Sequence, residues 1–330
     1  MILVVSYDED HTVEVVRQLD AAGHEVVRVD LAHFPAHAGV TLRYGNGGQS
    51  HHELTTAAGA TGLDGCRVAW WRRARPFTVE HTLSAARDRE FAASETAQAL
   101  HGMFHSLTCA WVNPPACDGA AHHKPYQWDV ARRLGLALPH TLVTNEPEQA
   151  LGFIRETGLG RTVFKAFLAR ADAWRETRLV RPEDLAHLET VRYAPVIFQE
   201  FVPGVDLRVT VVGDRVFAAE IDASATSYPV DMRMVLDEAA VRRGTLPPSL
   251  TDTLLRFMRR LGLVYGAIDL RRRPDGEYVF LEVNPAGQWL FVEERTGLPI
   301  TAEVAGLLSR LDRLDHEPVA APRHLAGSTG

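Results

Sequence analysis

The stretch that decides the fold is GAIDLRRRPDGEYVFLEVNP, residues 266–285. Two runs rich in β-branched, aromatic and other apolar residues, 264–271 and 278–283, predict two strands. Between them, the Pro-Asp-Gly sequence at 274–276 is typical of a tight turn, because Pro fixes φ and Gly tolerates a positive φ. The stretch therefore predicts an antiparallel hairpin.

Polar side chains lie at one end of this predicted hairpin. Because alternate residues of a strand project to the same face, we expect Asp269 to face the same side of the sheet as Glu282 and Asn284. Magnesium prefers such oxygen ligands, usually one or two carboxylates completed by waters and substrate phosphates. The pattern predicts a metal site at these three residues. The alternative is that Glu282 and Asn284 only cap the end of an edge strand.

Composition and charge set the class of protein. The chain has 330 residues, 46% hydrophobic and 23% charged, which indicates a globular protein of two or three domains and excludes a disordered, fibrous or membrane protein. A net charge of −7 without runs of like charge argues against nucleic acid or an anionic membrane as partner. The first residues form a strand-like apolar run without a basic flank, so we expect a cytoplasmic protein.

The basic residues are divided very unevenly. Of the 35 Lys and Arg residues, only Lys124 and Lys165 are Lys. Arg does not replace Lys where a compact point charge must meet a phosphate, since the guanidinium is a planar fork. These two lysines are therefore candidates for phosphate contacts.

The first 115 residues alternate between strand and helix patterns. A strand is predicted at 2–6, an amphipathic helix at 12–22 and a long Ala-rich helix at 84–107. Such alternation predicts a mostly parallel α/β domain over residues 1–115. The Pro-, Ala- and Gly-rich segment 114–124 is predicted to be a linker.

The pattern changes again near residue 196. Helices and strands alternate over 116–195. From 196 onward, the segments 196–202, 206–212 and 216–222 are predicted to be adjoining β strands, with a hairpin turn at Gly213-Asp214. We therefore predict a central subdomain at 116–195, a C-terminal subdomain at 196–315 and a disordered tail at 316–330.

The order of these features resembles the ATP-grasp fold. Asp269 and the run Glu282-Val283-Asn284-Pro285 resemble its metal-binding end, and Lys124 and Lys165 precede that end at plausible spacing. The resemblance spans roughly residues 110–312, and the region before it resembles the smaller pre-domain of the family. The fold class we expect is α/β (α+β): an ATP-grasp fold with an N-terminal α/β pre-domain.

The resemblance implies ATP and two Mg²⁺ ions as cofactors, and a role for each residue. Lys124 and Lys165 would meet the α- and β-phosphates, and Asp206 would accept hydrogen bonds from ribose hydroxyls. Arg208 and Arg233 would be catalytic, by stabilising charge on the transferred phosphoryl group. The run Gln199-Glu200-Phe201-Val202 resembles the hinge that holds adenine through backbone groups. The implied ATP-binding set is Lys124, Lys165, Gln199, Glu200, Phe201, Val202 and Asp206. The implied metal set is Asp269, Glu282 and Asn284.

One segment departs from the family's pattern. Many ATP-grasp enzymes cover the phosphates with a Gly-rich loop after the second Lys, whereas residues 166–175 contain no Gly. Without Gly, this segment is not expected to bring its backbone close to the phosphates.

Further segments resemble the microviridin-type peptide maturases, or graspetide synthetases. These segments are Trp70-Trp71-Arg72-Arg73, Lys124-Pro125-Tyr126-Gln127, the Gly-free segment, and Asn284-Pro285-Ala286-Gly287-Gln288-Trp289. The resemblance implies a ribosomal precursor peptide with a leader segment as partner. Its Asp or Glu side chains would be activated as acyl phosphates, with release of ADP, and closed onto Ser or Thr hydroxyls or Lys amines. A homodimer is a further assembly that we consider.

Several residues keep two interpretations. Trp289 is expected either to pack in the core or to contact the peptide. Arg72, Arg73 and Arg75 are expected to form a solvated strand end, with a contact to an acidic peptide as the alternative. The paired histidines, His122-His123 among them, are expected to be surface or packing residues, because no third metal ligand follows at useful spacing.

Two alternatives to ring closure remain open at this point. One is an intermolecular ATP-grasp ligase that adds amino acids to a protein tail or a small molecule. The other is a non-catalytic module that binds nucleotide and peptide. A non-catalytic copy would be expected to have lost part of the site, yet the implied set is intact.

Overall fold

The computed structural model describes residues 1–46, 50–167, 177–224, 226–228, 230 and 234–314. The chain forms two compact units: Met1–Pro115 together with the residues from Thr301 on, and Ala116–Ile300. Arg233, the predicted tail at 316–330 and most of the Gly-free segment lie outside the described residues. The expected α/β (α+β) class is confirmed, because parallel and antiparallel sheets occur together with helices.

The first unit combines a parallel sheet with an antiparallel one. In chain order its elements are β1 Ile2–Val5, α1 Asp10–Ala21, β2 Val26–Val29, β3 Gly39–Arg43, β4 His51–Thr56, β5 Gly59–Gly62, β6 Val68–Trp71, α2 Ala86–Ser106 and β7 Ala110–Val112. The alternating pattern predicted a mostly parallel sheet, and the observed parallel sheet has the order β2-β1-β6-β7. The other sheet is the meander β3-β4-β5.

Strand β1 lies inside the parallel sheet because its sequence is apolar throughout. All four of its residues are buried, as in a strand whose two faces are both covered. Helix α1 presents Val15, Val16 and Leu19 as a buried stripe at helical spacing.

The second unit contains two antiparallel sheets among its described residues. In chain order its elements are α3 Pro115–Ala121, α4 Lys124–Arg133, β8 Thr141–Thr144, α5 Pro147–Thr157, β9 Thr162–Lys165, β10 Arg178–Leu179, β11 Val196–Glu200, β12 Val205–Val212, β13 Arg215–Asp222, β14 Ala240–Arg243, α6 Pro248–Leu261, β15 Tyr265–Arg272, β16 Tyr278–Asn284 and α7 Leu290–Thr296. The smaller sheet has the order β10-β9-β11-β8 and the larger β14-β13-β12-β15-β16. Short 3₁₀ helices lie at Leu31–His33 in the first unit and Pro182–Tyr193 in the second.

The larger sheet carries both predicted hairpins. Strands β12 and β13 pair around Gly213, which has a φ of 59°, and β15 pairs with β16 across the Pro-Asp-Gly turn. Helix α6 packs Leu254 and Phe257 into the core under this sheet and ends at Gly262, in the left-handed conformation that only Gly adopts readily.

Two local predictions are corrected. The predicted linker at 114–124 contains helix α3, because a Pro at the first helical position and an Ala-rich sequence both favour a helix. Strand β11 does not adjoin β12 in one sheet; it pairs with β8 and β9, on both sides. The predicted boundary at 195/196 lies directly before β11, and both strands that pair with β11 come earlier in the chain. The division into three parts stays a prediction.

The last helix, α8 Ile300–Arg313, groups with the first unit. Asp312 accepts from the Met1 ammonium over 3.0 Å and lies 2.7 Å from His24 Nδ1. The other ring nitrogen of His24 lies 2.7 Å from Ser309 Oγ. These contacts join the end of the described chain to its beginning. None of the described helices is both long and apolar enough to cross a membrane.

Candidate active site

The two candidate metal-binding carboxylates lie at the end of β15 and β16. Asp269 and Glu282 are directly opposite in the antiparallel register, which confirms the predicted pairing. The register shifts after Asp269, so Leu281 is an extra residue beside Glu282, and Asn284 ends β16. Such a bulge re-aims neighbouring side chains. All four residues line one cleft.

Each carboxylate is held by a basic side chain. Lys124 Nζ donates to Glu282 Oε2, and Arg208 Nη1 donates to Asp269 Oδ1 over 2.7 Å. The two carboxylates are only 22% and 14% exposed, so an unpaired charge would be costly to keep there. The pairs match two negative charges with two positive ones.

Arg208 lies on β12, opposite Asp269 in the register. Its Nη2 also donates to the Gln288 carbonyl over 3.2 Å, and its guanidinium lies 6.0 Å from the Phe291 ring centre. The described residues that line the cleft include Asp269 but not Arg208. Residues directly opposite on neighbouring strands project to the same face of a sheet, so Arg208 lies beside Asp269 and orients its carboxylate.

A glycine makes room for this arrangement. A Cβ on Gly287 would collide with Ala267 and come within 3.2 Å of Arg208 Nη2. Tyr265 donates to the Gly287 carbonyl over 2.7 Å and packs edge-on against Trp289, with 5.4 Å between ring centres. Trp289 is fully buried, so of its two interpretations the core position is the observed one.

The second lysine is oriented by a buried amide. Lys165 Nζ donates to Gln199 Oε1 over 2.7 Å, and Gln199 Nε2 donates to Thr141 Oγ1 over 2.7 Å. Gln199 is 3% exposed and lies on β11, between the strands that carry the other two residues. The amide thus fixes the position of the ammonium group.

The hinge segment is tied to the smaller sheet through its backbone. The Glu200 N–H donates to the His140 carbonyl over 2.8 Å, and the Phe201 N–H donates to the Arg161 carbonyl over 2.7 Å. Because these donors are used within the chain, the segment is fixed at its two middle residues.

Arg271 holds the other side of this segment. Its Nε and Nη2 donate to the two carboxylate oxygens of Asp206 over 2.7 and 3.0 Å. Its Nη1 donates to the Val202 carbonyl over 2.8 Å, and its guanidinium lies 5.1 Å from the Phe201 ring centre. Arg271 was not predicted to belong to the site, although it is two residues from Asp269 and so projects to the same face of β15.

A cleft of about 350 Å³ joins these groups, which is within the usual range for small-molecule sites. Ten residues of the implied set line it: Lys124, Lys165, Gln199, Glu200, Phe201, Val202, Asp206, Asp269, Glu282 and Asn284. Of the implied catalytic residues, Arg208 is bonded to Asp269 from the neighbouring strand, and Arg233 is outside the described residues.

The cleft also contains residues that the sequence did not single out for it. His122 lines it beside Lys124, and its Nδ1 lies 2.8 Å from the Asp118 carbonyl oxygen. The contact forms because His122 follows Asp118 by one helical turn. No pattern in the sequence indicated that His122 would line the cleft.

The arginines after β6 differ from the solvated strand end that we expected. Arg72 is 1% exposed and donates to Glu9, whose carboxylate also lies 3.6 Å from Arg73. Arg75 pairs with Asp30. The expectation is therefore wrong for Arg72, whose partner is 63 residues away in the chain.

No cluster of three or more His, Cys, Asp or Glu side chains suited to a metal ion occurs among the described residues. The candidate set of two carboxylates and one amide is of the kind that magnesium uses with phosphate ligands.

Comparison with known proteins identifies the class. Residues 1–118 match the family model described as the MvdD pre-ATP grasp domain. The macrocyclase MdnC of Microcystis aeruginosa MRC, solved with its precursor peptide MdnA, is 31% identical, with a TM-score of 0.82 over 94% of this chain and 100% of that one. The macrocyclase MdnB of the same organism is 30% identical, with a TM-score of 0.77 over 93% and 98%.

A further match is the RiPP-associated ATP-grasp ligase of Chryseobacterium gregarium, solved with ADP and a leader and core peptide. It is 26% identical, with a TM-score of 0.82 over 94% of this chain and 96% of that one. None of the curated protein sequences matches this chain. The fold is thus that of ATP-grasp ligases. Within that class, the chain belongs to the microviridin-type macrocyclases, the graspetide synthetases.

Proposed function

We propose that this chain is an ADP-forming ligase that closes rings in a ribosomal precursor peptide. It activates Asp or Glu side-chain carboxylates as acyl phosphates. A Ser or Thr hydroxyl, or a Lys amine, then displaces phosphate and gives a macrolactone or a macrolactam. The observation that carries the proposal is the cleft in which Asp269 and Glu282 face each other, each paired with a cation, in a chain that matches MdnC over 94% of its length.

The cleft offers a place for each part of ATP. The adenine edge would pair with the Glu200 carbonyl and the Val202 N–H, because the Glu200 N–H and the Val202 carbonyl already bond within the chain. Asp206 would accept from the ribose. Lys124 and Lys165 would bind the α- and β-phosphates as compact charges.

The donor set at the metal end fits magnesium. Asp269 and Glu282 supply carboxylate oxygens and Asn284 an amide oxygen, and Lys124 and Arg208 show that positive charge is accommodated beside the carboxylates. We infer that the three oxygen-bearing residues hold Mg²⁺, with two ions expected. When bound, magnesium would neutralise charge on the β- and γ-phosphates.

The remaining work of the protein is positioning. Phosphoryl transfer needs little covalent help from side chains, so aligned charges carry most of the catalysis. Arg208 orients Asp269 through its hydrogen bond to the carboxylate. Arg233 remains a candidate for stabilising the transferred phosphoryl group.

The partner would be a precursor peptide with a leader and a core, acted on in the cytoplasm. The MdnC structure contains a precursor peptide, and the Chryseobacterium gregarium ligase contains leader and core peptides. The net charge of −7 gives no support to a nucleic-acid partner. A homodimer stays a prediction.

The test is mass spectrometry of a precursor peptide after incubation with the enzyme, ATP and Mg²⁺. The substrate would come from a neighbouring short reading frame with repeated Thr or Ser and Glu or Asp residues. Ring closure removes one water for each bond formed, and reactions without ATP provide the control. A gain of amino-acid mass would instead indicate the intermolecular ligase, and an unchanged mass with bound peptide would indicate a non-catalytic module.

A further inference from the structure

The hinge end of the cleft depends on a residue that is not part of the ATP-binding set. Arg271 is 5% exposed and uses all three of its guanidinium nitrogens: two on the Asp206 carboxylate and one on the Val202 carbonyl. Its planar face also covers Phe201 at 5.1 Å. One guanidinium therefore contacts three members of the set that would hold adenine and ribose.

The geometry points to Arg271 as the positioning residue that fixes the nucleoside-binding segment, and this inference rests on the proposed function. A bidentate Arg–carboxylate pair fixes the plane of the carboxylate, so Asp206 presents its remaining lone pairs in one direction. The bond to Val202 fixes the peptide that follows it. Without Arg271, a buried carboxylate and a backbone carbonyl would lose their donors, and the segment would lose its defined shape.

Arg271 also connects this segment to the metal end. It lies on β15, two residues from Asp269, and both side chains line the cleft. A rigid strand thus carries one group that would serve the phosphates and one that would serve the nucleoside. Substitution of Arg271 should affect only the second function.

The neighbouring residue provides a matched control. Arg272 also donates to a carboxylate on the same sheet, from Nη1 to Glu220 Oε1 over 2.6 Å. It projects to the other face of β15 and is not among the described residues that line the cleft. The variants R271Q and R272Q each remove one arginine–carboxylate ion pair from the same strand. R271Q removes a pair in the cleft, and R272Q removes a pair outside it.

The experiment compares binding of ADP and of pyrophosphate, both with Mg²⁺, by calorimetry on the full-length enzyme. The two probes share a diphosphate and differ in the adenosine. We expect R271Q to weaken ADP binding about tenfold or more while pyrophosphate binding stays within about twofold, because charge-assisted bonds to the nucleoside-binding segment are lost. R271K should fall between R271Q and the unsubstituted enzyme, and R272Q should change neither affinity.

Several outcomes would overturn the inference. Equal loss of ADP and pyrophosphate binding in R271Q and in the conservative R271K would mean that Arg271 supports the whole site and not the nucleoside end. Unchanged ADP affinity in R271Q would also overturn it, with the proposed function intact. Failure of the unsubstituted enzyme to bind ADP would overturn the proposed function together with this inference.

Discussion

The two ends of the cleft hold their carboxylates in different ways. At the metal end, Glu282 and Asp269 are each bonded by a different basic residue through a single nitrogen. At the hinge end, both oxygens of Asp206 are bonded by one guanidinium, that of Arg271.

This difference in pairing indicates which contacts would change when the proposed ligands bind. Lys124 has a flexible stem and a compact charge, so it would be able to leave Glu282 for a phosphate when Mg²⁺ is held by the carboxylate. The planar pair of Arg271 and Asp206 has no such reason to open. We therefore expect substitutions at the metal end to impair chemistry, those at the hinge end to impair nucleotide affinity, and those at ion pairs outside the cleft to affect stability alone.

The largest effect is expected at the metal end, with Glu282→Gln. The amide keeps the shape of the side chain but loses the charge that would hold magnesium, so ring closure should fall about a hundredfold or more. The measurement is the rate of water loss from the precursor, followed by mass spectrometry.

The matched control for this change is Glu277→Gln, at the residue directly before β16. Its side chain is 53% exposed and pairs only with Arg273 among the ion pairs of the described residues, so we expect the rate to be unchanged. A Glu282→Gln enzyme with more than half of the original rate would contradict the metal assignment.

A smaller effect is expected with Lys165→Arg, which keeps the charge and changes its shape. Lys165 is bonded to Gln199, a residue that is buried at 3% exposure, so the wider planar guanidinium does not fit the same position. We expect kcat/KM for ATP to fall about tenfold or more, from the loss of one well-placed charge. The variant Lys165→Met should be worse still; equal rates for all three enzymes would show that Lys165 does not serve the phosphates.

The metal end was largely predictable from the sequence, because the pattern is local. The Pro-Asp-Gly turn and the alternation of the two strands place Asp269 opposite Glu282, and the register agrees. Lys124 and Lys165 were found from composition, since no other Lys occurs in the chain.

The hinge end was less predictable because its contacts join distant segments. Three arginines follow each other at 271–273, and only the register of β12 against β15 decides that Arg271 meets Asp206. Arg72 was missed for the same reason: a charged strand end is normally solvated, and its buried partner Glu9 belongs to another part of the chain.

The smallest effect is expected outside the cleft, at Glu220. Hydrogen bonds from Arg272, and then from Arg242, outweigh burial and lower the pKa of Glu220. A lowered pKa means that the charged form is stabilised in the folded state. This contribution is complete above the unfolded value of about 4.3 and is lost as the pH falls through the lower folded pKa. Neither arginine is among the described residues that line the cleft.

The variant Glu220→Gln therefore separates stability from function. At pH 7 it should lower the free energy of unfolding by about 1 kcal/mol, the scale of a partly exposed ion pair, while ring closure stays unchanged. The difference from the unsubstituted enzyme should shrink as the pH falls from about 4.3 through the lower folded pKa of Glu220, because the unfolded chain is protonated first and both proteins lack the charge below the folded pKa. Thermal unfolding at pH 7, 5 and 3.5 provides the measurement. If Glu220→Gln lost ring closure without losing stability, ion pairs outside the cleft would not serve stability alone, and the distinction from the ion pairs in the cleft would be wrong.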